Sequence, residues 1–176
     1  NEQYDPAEPR VLSDGKTVLI STFFCGLYRI VDIESDDPSA EWVYSFSFNE
    51  KYDCAIPVVN GEYWIQTIAS KSALVSLDIS DPTKPKKVYE LKFQKGEWPH
   101  WISLEPNRRR IIITGNNRLK NKLLIVNFDQ KTGELSFDEN FRDKRTGELG
   151  FSFDRFEWPH GNTDSAIPHG SVFSID

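Results

Sequence analysis

Short apolar segments recur along the chain, and polar or turn-forming residues separate each one from the next. Three of these segments end in a threonine, Thr22, Thr67 and Thr114, at spacings of 45 and 47 residues. Each is followed by a second apolar segment that ends near an Asp or Asn, by a turn cluster and by a further strand-like segment. Segments this short, rich in Val, Ile and aromatic residues, are typical of β-strands, and no helix longer than a turn or two is predicted.

The recurring order of strand, Thr, strand, Asp and turn predicts an all-β protein of the β-propeller class. A period in the mid-forties that contains about four short strands is the size of one propeller blade. We place three blades at about 11–48, 54–93 and 99–141, with the next blade starting at 167. Residues 138–166, rich in charge and Gly, are expected to form an insertion loop between blades. A β-sandwich with coincidental spacing is the alternative.

Three blades and the start of a fourth would leave sheet edges open, which isolated proteins avoid. Closed propellers have roughly 4 to 8 blades. We therefore expect residues 1–176 to be a partial propeller domain, completed by further blades of the same protein or by another chain. The sequence has no methionine, even at residue 1. We expect a processed or partial chain, which leaves the compartment open and favours an exported or periplasmic location over a cytoplasmic one.

Composition and charge narrow the choice of partners. The chain has a formal net charge of -6, which argues against nucleic acid or an anionic membrane as the main partner. No apolar run approaches the ~20 residues that a membrane helix needs. We expect no membrane span and, as the partner, a small-molecule ligand or thiol.

All three histidines of the chain directly follow a proline. His100 and His160 end the same tetrapeptide, Glu-Trp-Pro-His, and His169 ends a third Pro-His pair. Proline restricts its own φ and that of the residue before it, so each imidazole is carried on a stiff backbone. Neutral imidazole is a common ligand for copper, zinc, iron and nickel, and three protein ligands leave one coordination position open. The pattern predicts a metal site, with hydrogen-bonded structural histidines as the alternative.

Propeller geometry is expected to bring these histidines to one end of the central channel, where the innermost strands begin. His100 begins one such strand, and His169 begins the equivalent strand of the next blade. Cys54 takes the corresponding place in the second blade, which makes it a possible ligand or neighbouring thiol. His160 lies in the insertion, which is expected to fold over the channel mouth. Cys25 and Cys54 either pair or remain free.

Residues next to the histidines are candidates for supporting roles. Two glutamates are expected to orient imidazoles from the second coordination shell, with solvated loop charges as the alternative: Glu97 and Glu157. Three tryptophans are candidates for the wall of a pocket for a small apolar or sulfur-containing ligand, with packing between blades as the alternative: Trp98, Trp101 and Trp158. No catalytic residue is assigned.

Four segments of the chain resemble the selenium-binding protein family, the propellers that include methanethiol oxidase. They are Ser21–Arg29, Asp78–Pro85, Trp98–Pro106 with Arg110–Gly115 after it, and Ile167–Ser174. Together they span nearly the whole chain. The Asp-Ile-Ser-Asp-Pro segment is shared with other propeller repeats, whereas the Pro-His segments are more specific.

The resemblance implies a seven-bladed propeller more than twice this length, with histidines toward the channel that bind copper. Some members of that family oxidise methanethiol with oxygen, so the resemblance implies this activity as a further expectation. The matching Pro-His contexts carry this role over to His100 and His169, and with a weaker match to His160. Neither Cys25 nor Cys54 lies in a motif that matches the family's reactive cysteine.

Three functions remain open from the sequence. The first is a copper-dependent, methanethiol oxidase-like oxidoreductase, in which the soft thiol suits a His-ligated copper ion. The second is a non-catalytic binding scaffold with structural histidines. The third is a metal-dependent propeller lactonase or other hydrolase, which would use carboxylate ligands in the channel, where Asp53 is the only obvious acid. Another divalent metal in place of copper also remains open.

Overall fold

Three antiparallel sheets, each built on four consecutive strands, follow one another along the chain in the computed structural model. The model describes residues 5–46, 53–95, 97–115, 121–162 and 164–174. The first sheet contains β1 (Pro6–Val11), β2 (Val18–Thr22), β3 (Gly26–Val31) and β4 (Ser39–Ser45). The second contains β5 (Cys54–Asn60), β6 (Tyr63–Ile68), β7 (Ala73–Asp78) and β8 (Lys86–Lys92). The third contains β9 (Pro99–Leu104), β10 (Arg110–Gly115), β11 (Lys122–Phe128) and β12 (Leu135–Phe137).

Three short strands lie in the segment that follows β12, and the first of them joins the third sheet as its fifth strand. They are β13 (Phe151–Ser152), which pairs with β11, and the hairpin of β14 (Glu157–Trp158) and β15 (Gly161–Asn162). The described residues contain no helix, and therefore none that is long and apolar enough to cross a membrane.

From β1 to β4, from β5 to β8 and from β9 to β12, every strand pairs with the next strand along the chain, so the first strand of each sheet is an edge strand. We call this first strand the inner strand of its sheet, because in a propeller it lies nearest the central channel. The inner strands lie side by side, β1 beside β5 and β5 beside β9. Each contains proline, which a sheet tolerates at an edge because no ladder bond needs the missing N–H. The prolines and charges of β1 also obscure its alternation of apolar and polar residues. The strand begins at Pro6, whereas the sequence pattern starts the first blade at about residue 11.

Two apolar clusters fill the spaces between consecutive sheets. The cluster between the first and second sheets contains Leu19, Cys25, Leu27, Phe46, Cys54, Trp64, Ile68, Val75, Leu77 and Ile79. The cluster between the second and third sheets contains Ile65, Leu74, Phe93, Ile102, Ile111, Ile113, Leu124, Val126, Phe128 and Leu135. The second sheet contributes to both, and its central strands β6 and β7 are buried over nearly their whole length.

A disulfide links the first sheet to the second. Cys25 lies in the turn between β2 and β3, at a φ of 68°, and Cys54 is the first residue of β5. Their sulfurs are bonded, and both side chains are buried in the apolar cluster. The bond fixes the start of β5 to the turn between β2 and β3 of the first sheet.

A residue with a positive φ also precedes the third strand of the second and third sheets. Ser72 and Asn121 have φ values of 47° and 50°, close to that of Cys25. In the first sheet the carbonyl of Cys25 accepts a 2.9 Å hydrogen bond from the N–H of Phe46. The carbonyl of Ser72 accepts the equivalent bond, 2.7 Å long, from Phe93. The turn therefore also fixes the chain where it leaves the outer strand β4 or β8.

A buried aspartate organises the segment after the third sheet. The Asp143 carboxylate accepts hydrogen bonds from the N–H groups of Ser152 and Arg145, at 2.9 and 2.8 Å. It also forms an ion pair of 2.6 Å with Arg155. These bonds, led by that from Ser152, lower the pKa of Asp143. The carboxylate thus holds the segment in a fixed fold as an anion.

We expect the disulfide to stabilise the contact between the first two sheets. Replacing Cys25 and Cys54 together with Ala should lower the free energy of unfolding by about 3 kcal/mol, because the loop between them gains freedom in the unfolded chain. Urea unfolding followed by tryptophan fluorescence measures the change. Under reducing conditions the midpoints of wild type and variant should converge. Equal midpoints under oxidising conditions would contradict this role.

Candidate metal centre

His100 lies at the start of the third inner strand. It is the second residue of β9, and its side chain is partly buried. Its main-chain carbonyl accepts a 3.1 Å hydrogen bond from the hydroxyl of Thr67, at the end of β6 in the second sheet. The imidazole is therefore carried by one sheet, while its backbone is tied to the sheet before it.

His169 occupies the same relation to the third sheet. Its carbonyl accepts a 2.6 Å hydrogen bond from the hydroxyl of Thr114 in β10. Two residues further on, the carbonyl of Ser171 accepts a hydrogen bond from Ser103 of β9. Residues 164–174 contain no assigned strand, yet this segment lies against the third inner strand, where propeller geometry places the next one.

The structure brings His100 and His169 together. Their ring centroids are 5.1 Å apart, with the ring planes tilted by 43°. Burial of His100, and then the repulsion of a nearby positive charge on His169, lower the pKa of His100. His100 is thereby favoured in the neutral form that binds metals.

His160 lies elsewhere in the fold. It is exposed in the turn between β14 and β15, and its ring stacks on Trp158 at a centroid distance of 6.1 Å. Across the described ranges, no three or more His, Cys, Asp or Glu side chains are grouped so that they could hold a metal ion. The described residues therefore supply a pair of histidines, and the sequence-based site of three stays a prediction.

Cys54 and Asp53 have other bonding partners. The sulfur of Cys54 is bonded to Cys25, so in this form it is neither a thiol nor a thiolate ligand. Cys54 pairs with Ile68 as Pro99 pairs with Gly115, which places Cys54 one residue before the position equivalent to His100. The buried Asp53 carboxylate accepts hydrogen bonds from the N–H and the hydroxyl of Ser70.

The two glutamates of the repeated tetrapeptide differ in their surroundings. Glu97 is buried, and its carboxylate accepts a 3.0 Å hydrogen bond from the N–H of Gln94. It closes the turn that leads into β9 and so supports the backbone before His100. Glu157 is exposed in β14, opposite Asn162.

The three tryptophans fall into two groups. Trp101 lies beside His169, with centroids 5.8 Å apart, and its indole N–H donates to the hydroxyl of Ser103. Trp98 is partly buried just before β9. Trp158 instead lies in the segment after the third sheet, where it packs against Phe153. Trp98 and Trp158 thus belong to different parts of the fold.

Sequence reasoning missed the two threonines that hold the histidines. Thr67 and Thr114 were visible as the repeated last residues of apolar segments, but that pattern gives no hydrogen-bond partner. It also missed a second repeat, Asp129-Gln-Lys-Thr-Gly-Glu134 and Asp143-Lys-Arg-Thr-Gly-Glu148. In both copies the aspartate carbonyl accepts a hydrogen bond from the glycine four residues later, and the side chain caps the turn.

The sequence matches no protein-family model and no curated protein. The fold is similar to that of a hypothetical selenium-binding protein from Sulfolobus tokodaii, with a TM-score of 0.64 and 14% identity, over 80% of this chain and 41% of the other. It is also similar to the periplasmic gluconolactonase of Pseudomonas aeruginosa, with a TM-score of 0.60 and 12% identity, over 75% of this chain and 38% of the other.

This chain thus spans about two-fifths of the length of these two proteins. At such low identity the similarity establishes the fold alone. The all-β propeller predicted from the sequence is confirmed, and the three described sheets do not close into a ring. The chain has the fold of part of a β-propeller.

The lowered pKa of His100 gives a pH dependence of stability. As the pH falls through the ordinary value of 6.5, the unfolded chain binds a proton at His100 more readily than the folded one. Wild type should therefore lose stability on acidification relative to His100→Gln. Urea midpoints measured between about pH 7.5 and pH 5.5 test this. His160→Gln, changed at an exposed histidine, is the control and should follow wild type. Parallel curves for wild type and His100→Gln would refute the prediction.

Proposed function

We propose that His100 and His169 are two ligands of a metal ion, copper being the expected one, and that the metal-bound protein oxidises a small thiol such as methanethiol with oxygen. The observation that carries the proposal is the pair of imidazoles, 5.1 Å apart between ring centroids, contributed by consecutive positions around the propeller.

The spacing of the two rings suits a shared ion. With a metal–nitrogen bond of about 2 Å, two imidazoles on a tetrahedral ion have ring centres roughly 5 Å apart. The lowered pKa of His100 favours its neutral form, and imidazole binds copper as well as zinc. His160, exposed on its hairpin, is not needed for this pair. The remaining coordination positions would be open to substrate, to solvent or to ligands outside the described residues.

The residues around the pair would shape access to the ion. Trp101 covers one side of His169 with an apolar surface, and Gly170 lies close to the same indole ring. His169 is nevertheless exposed, so a molecule as small as methanethiol would reach it from solvent. A bound copper ion would supply a soft centre for a thiolate and a route for its electrons.

Two lines of similarity support a selenium-binding-protein-like function. The Pro-His segments around His100 and His169 resemble that family in sequence. The fold is similar to that of the hypothetical selenium-binding protein from Sulfolobus tokodaii. The resemblance points to His100 and His169 as ligands, and in the structure these two histidines lie close together.

A lactone hydrolase is a second candidate of equal standing, because the fold is also similar to that of a gluconolactonase, with a TM-score close to that of the selenium-binding protein. Such an enzyme would bind a hard or borderline divalent cation and hydrolyse a lactone without consuming oxygen. Asp53 is the acid that the sequence offers for this role, and Ser70 already occupies both of its oxygens with hydrogen bonds. A non-catalytic scaffold is the third candidate, in which the histidines only join neighbouring parts of the propeller.

Metal analysis of natively isolated protein separates these functions. We expect about one copper ion per chain in wild type, since the two imidazoles lie close enough to share one ion. The ion should be lost in the double variant His100→Ala/His169→Ala and retained in His160→Ala. All three proteins should have the same circular dichroism spectrum.

Copper that is present should be accompanied by thiol-dependent oxygen uptake, and lactone hydrolysis with another divalent cation would favour the second candidate. Native protein that is free of metal and cannot be reconstituted would refute the metal site and leave the scaffold function. Copper retained by the double variant would place the ion elsewhere.

A further inference from the structure

Two buried threonines hold the main chain at the two histidines. Thr67 and Thr114 occupy the same place near the end of the second strand of their sheets, and neither side chain is exposed. Each hydroxyl donates to the carbonyl of a histidine that lies one blade further on, Thr67 to His100 and Thr114 to His169. The relation is therefore repeated, although the two histidines belong to segments of different structure.

The carbonyls that accept these bonds need such a donor. His100 lies on an inner strand that, among the described strands, pairs only with β10, so one edge of its backbone has no ladder partner in that part of the chain. His169 lies in a segment without an assigned strand. A carbonyl without a partner in a partly buried place costs free energy, so a fixed hydroxyl stabilises one position of the backbone. Threonine suits this because its β-branched side chain has few rotamers in a strand.

We propose that Thr67 and Thr114 are positioning residues of the metal site, and that their hydroxyl groups set the distance between the two imidazoles. This inference rests on the proposed metal-binding function. The two bonds place His100 relative to the second sheet and His169 relative to the third. The separation of the rings then follows from the stacking of the sheets.

The two threonines should differ in importance. His100 is also held by the pairing of β9 with β10, because its neighbours Trp101 and Pro99 lie opposite Thr114 and Gly115. The segment around His169 has fewer ties to the third sheet, chiefly the bonds from Thr114 to His169 and from Ser103 to Ser171. Loss of the Thr114 hydroxyl should therefore displace its histidine more than loss of the Thr67 hydroxyl.

The first blade provides a matched control. Thr22 occupies the equivalent place in β2 and is also buried. Its hydroxyl accepts a 3.0 Å hydrogen bond from the N–H of Gly26 in its own sheet. Thr22→Val therefore removes an equally buried hydroxyl and keeps the shape of the side chain, without touching either histidine.

The experiment compares Thr114→Val, Thr67→Val, Thr114→Ser and Thr22→Val in the full chain. Copper affinity should fall about tenfold in Thr114→Val, the size of effect usual for groups that orient metal ligands. The fall should be smaller in Thr67→Val, and Thr114→Ser should restore binding. Thr22→Val should lose stability but keep wild-type affinity.

The imidazole proton signals of the metal-free proteins, recorded by NMR at one fixed pH, give a second readout. Thr114→Val should shift the signals of His169 and leave those of His160 unchanged. Folded Thr114→Val with wild-type His169 signals would overturn the inference, as would the same shift in Thr22→Val. If Thr114→Val does not fold, the test uses Thr67→Val instead. Shifted His100 signals in that variant would support the inference, and wild-type His100 signals would overturn it. A wild type that binds no copper would refute the proposed function, while the NMR comparison would still decide the role of the threonines.

Discussion

A β-sheet that is apolar on both faces is stable only when another layer covers each face. The second sheet of this protein meets that condition, because its central strands β6 and β7 are buried between two apolar clusters. Face-to-face stacking in turn places the inner strands β1, β5 and β9 beside one another. The meeting of His100 and His169 depends on this stacking, because they belong to consecutive positions around the same axis.

Each sheet is tied to the next part of the chain at the same end, either by the last residues of its second strand or by the turn that follows them. Between the first and second sheets the tie is the disulfide of Cys25 and Cys54. Between the second and third it is the hydrogen bond from Thr67 to His100. From the third sheet onward it is the bond from Thr114 to His169. This end of the sheet thus carries a disulfide in the first blade and the hydrogen bonds to His100 and His169 in the next two.

Much of the fold follows from the sequence because strand length and turn chemistry are local properties. The threonines at spacings of 45 and 47 residues mark equivalent second strands, and His100 could be placed at a strand start because the short strand-like segment 101–104 follows it. The edge strand β1 escaped the pattern because an unpaired edge tolerates the prolines that break alternation. Prolines therefore escape the strand pattern at positions where no neighbouring strand needs a hydrogen bond from the backbone N–H.

The details of the candidate site were less accessible to sequence reasoning because they depend on contacts between distant segments. The pairing of Cys25 with Cys54 crosses from one sheet to another, and two cysteines alone do not reveal whether they pair. Glu97 and Glu157 share a tetrapeptide, yet only Glu97 is buried. His160 repeats the local sequence of His100 but lies on a separate hairpin. Identical neighbours along the chain did not imply identical surroundings.

Anomalous X-ray diffraction from crystals grown with copper tests the central claim most directly, because it locates the ion without reference to activity. We predict a peak between the imidazoles of His100 and His169, about 2 Å from a nitrogen of each. A copper peak on His160 alone, or no peak near the pair in protein that is otherwise folded as described, would contradict the claim.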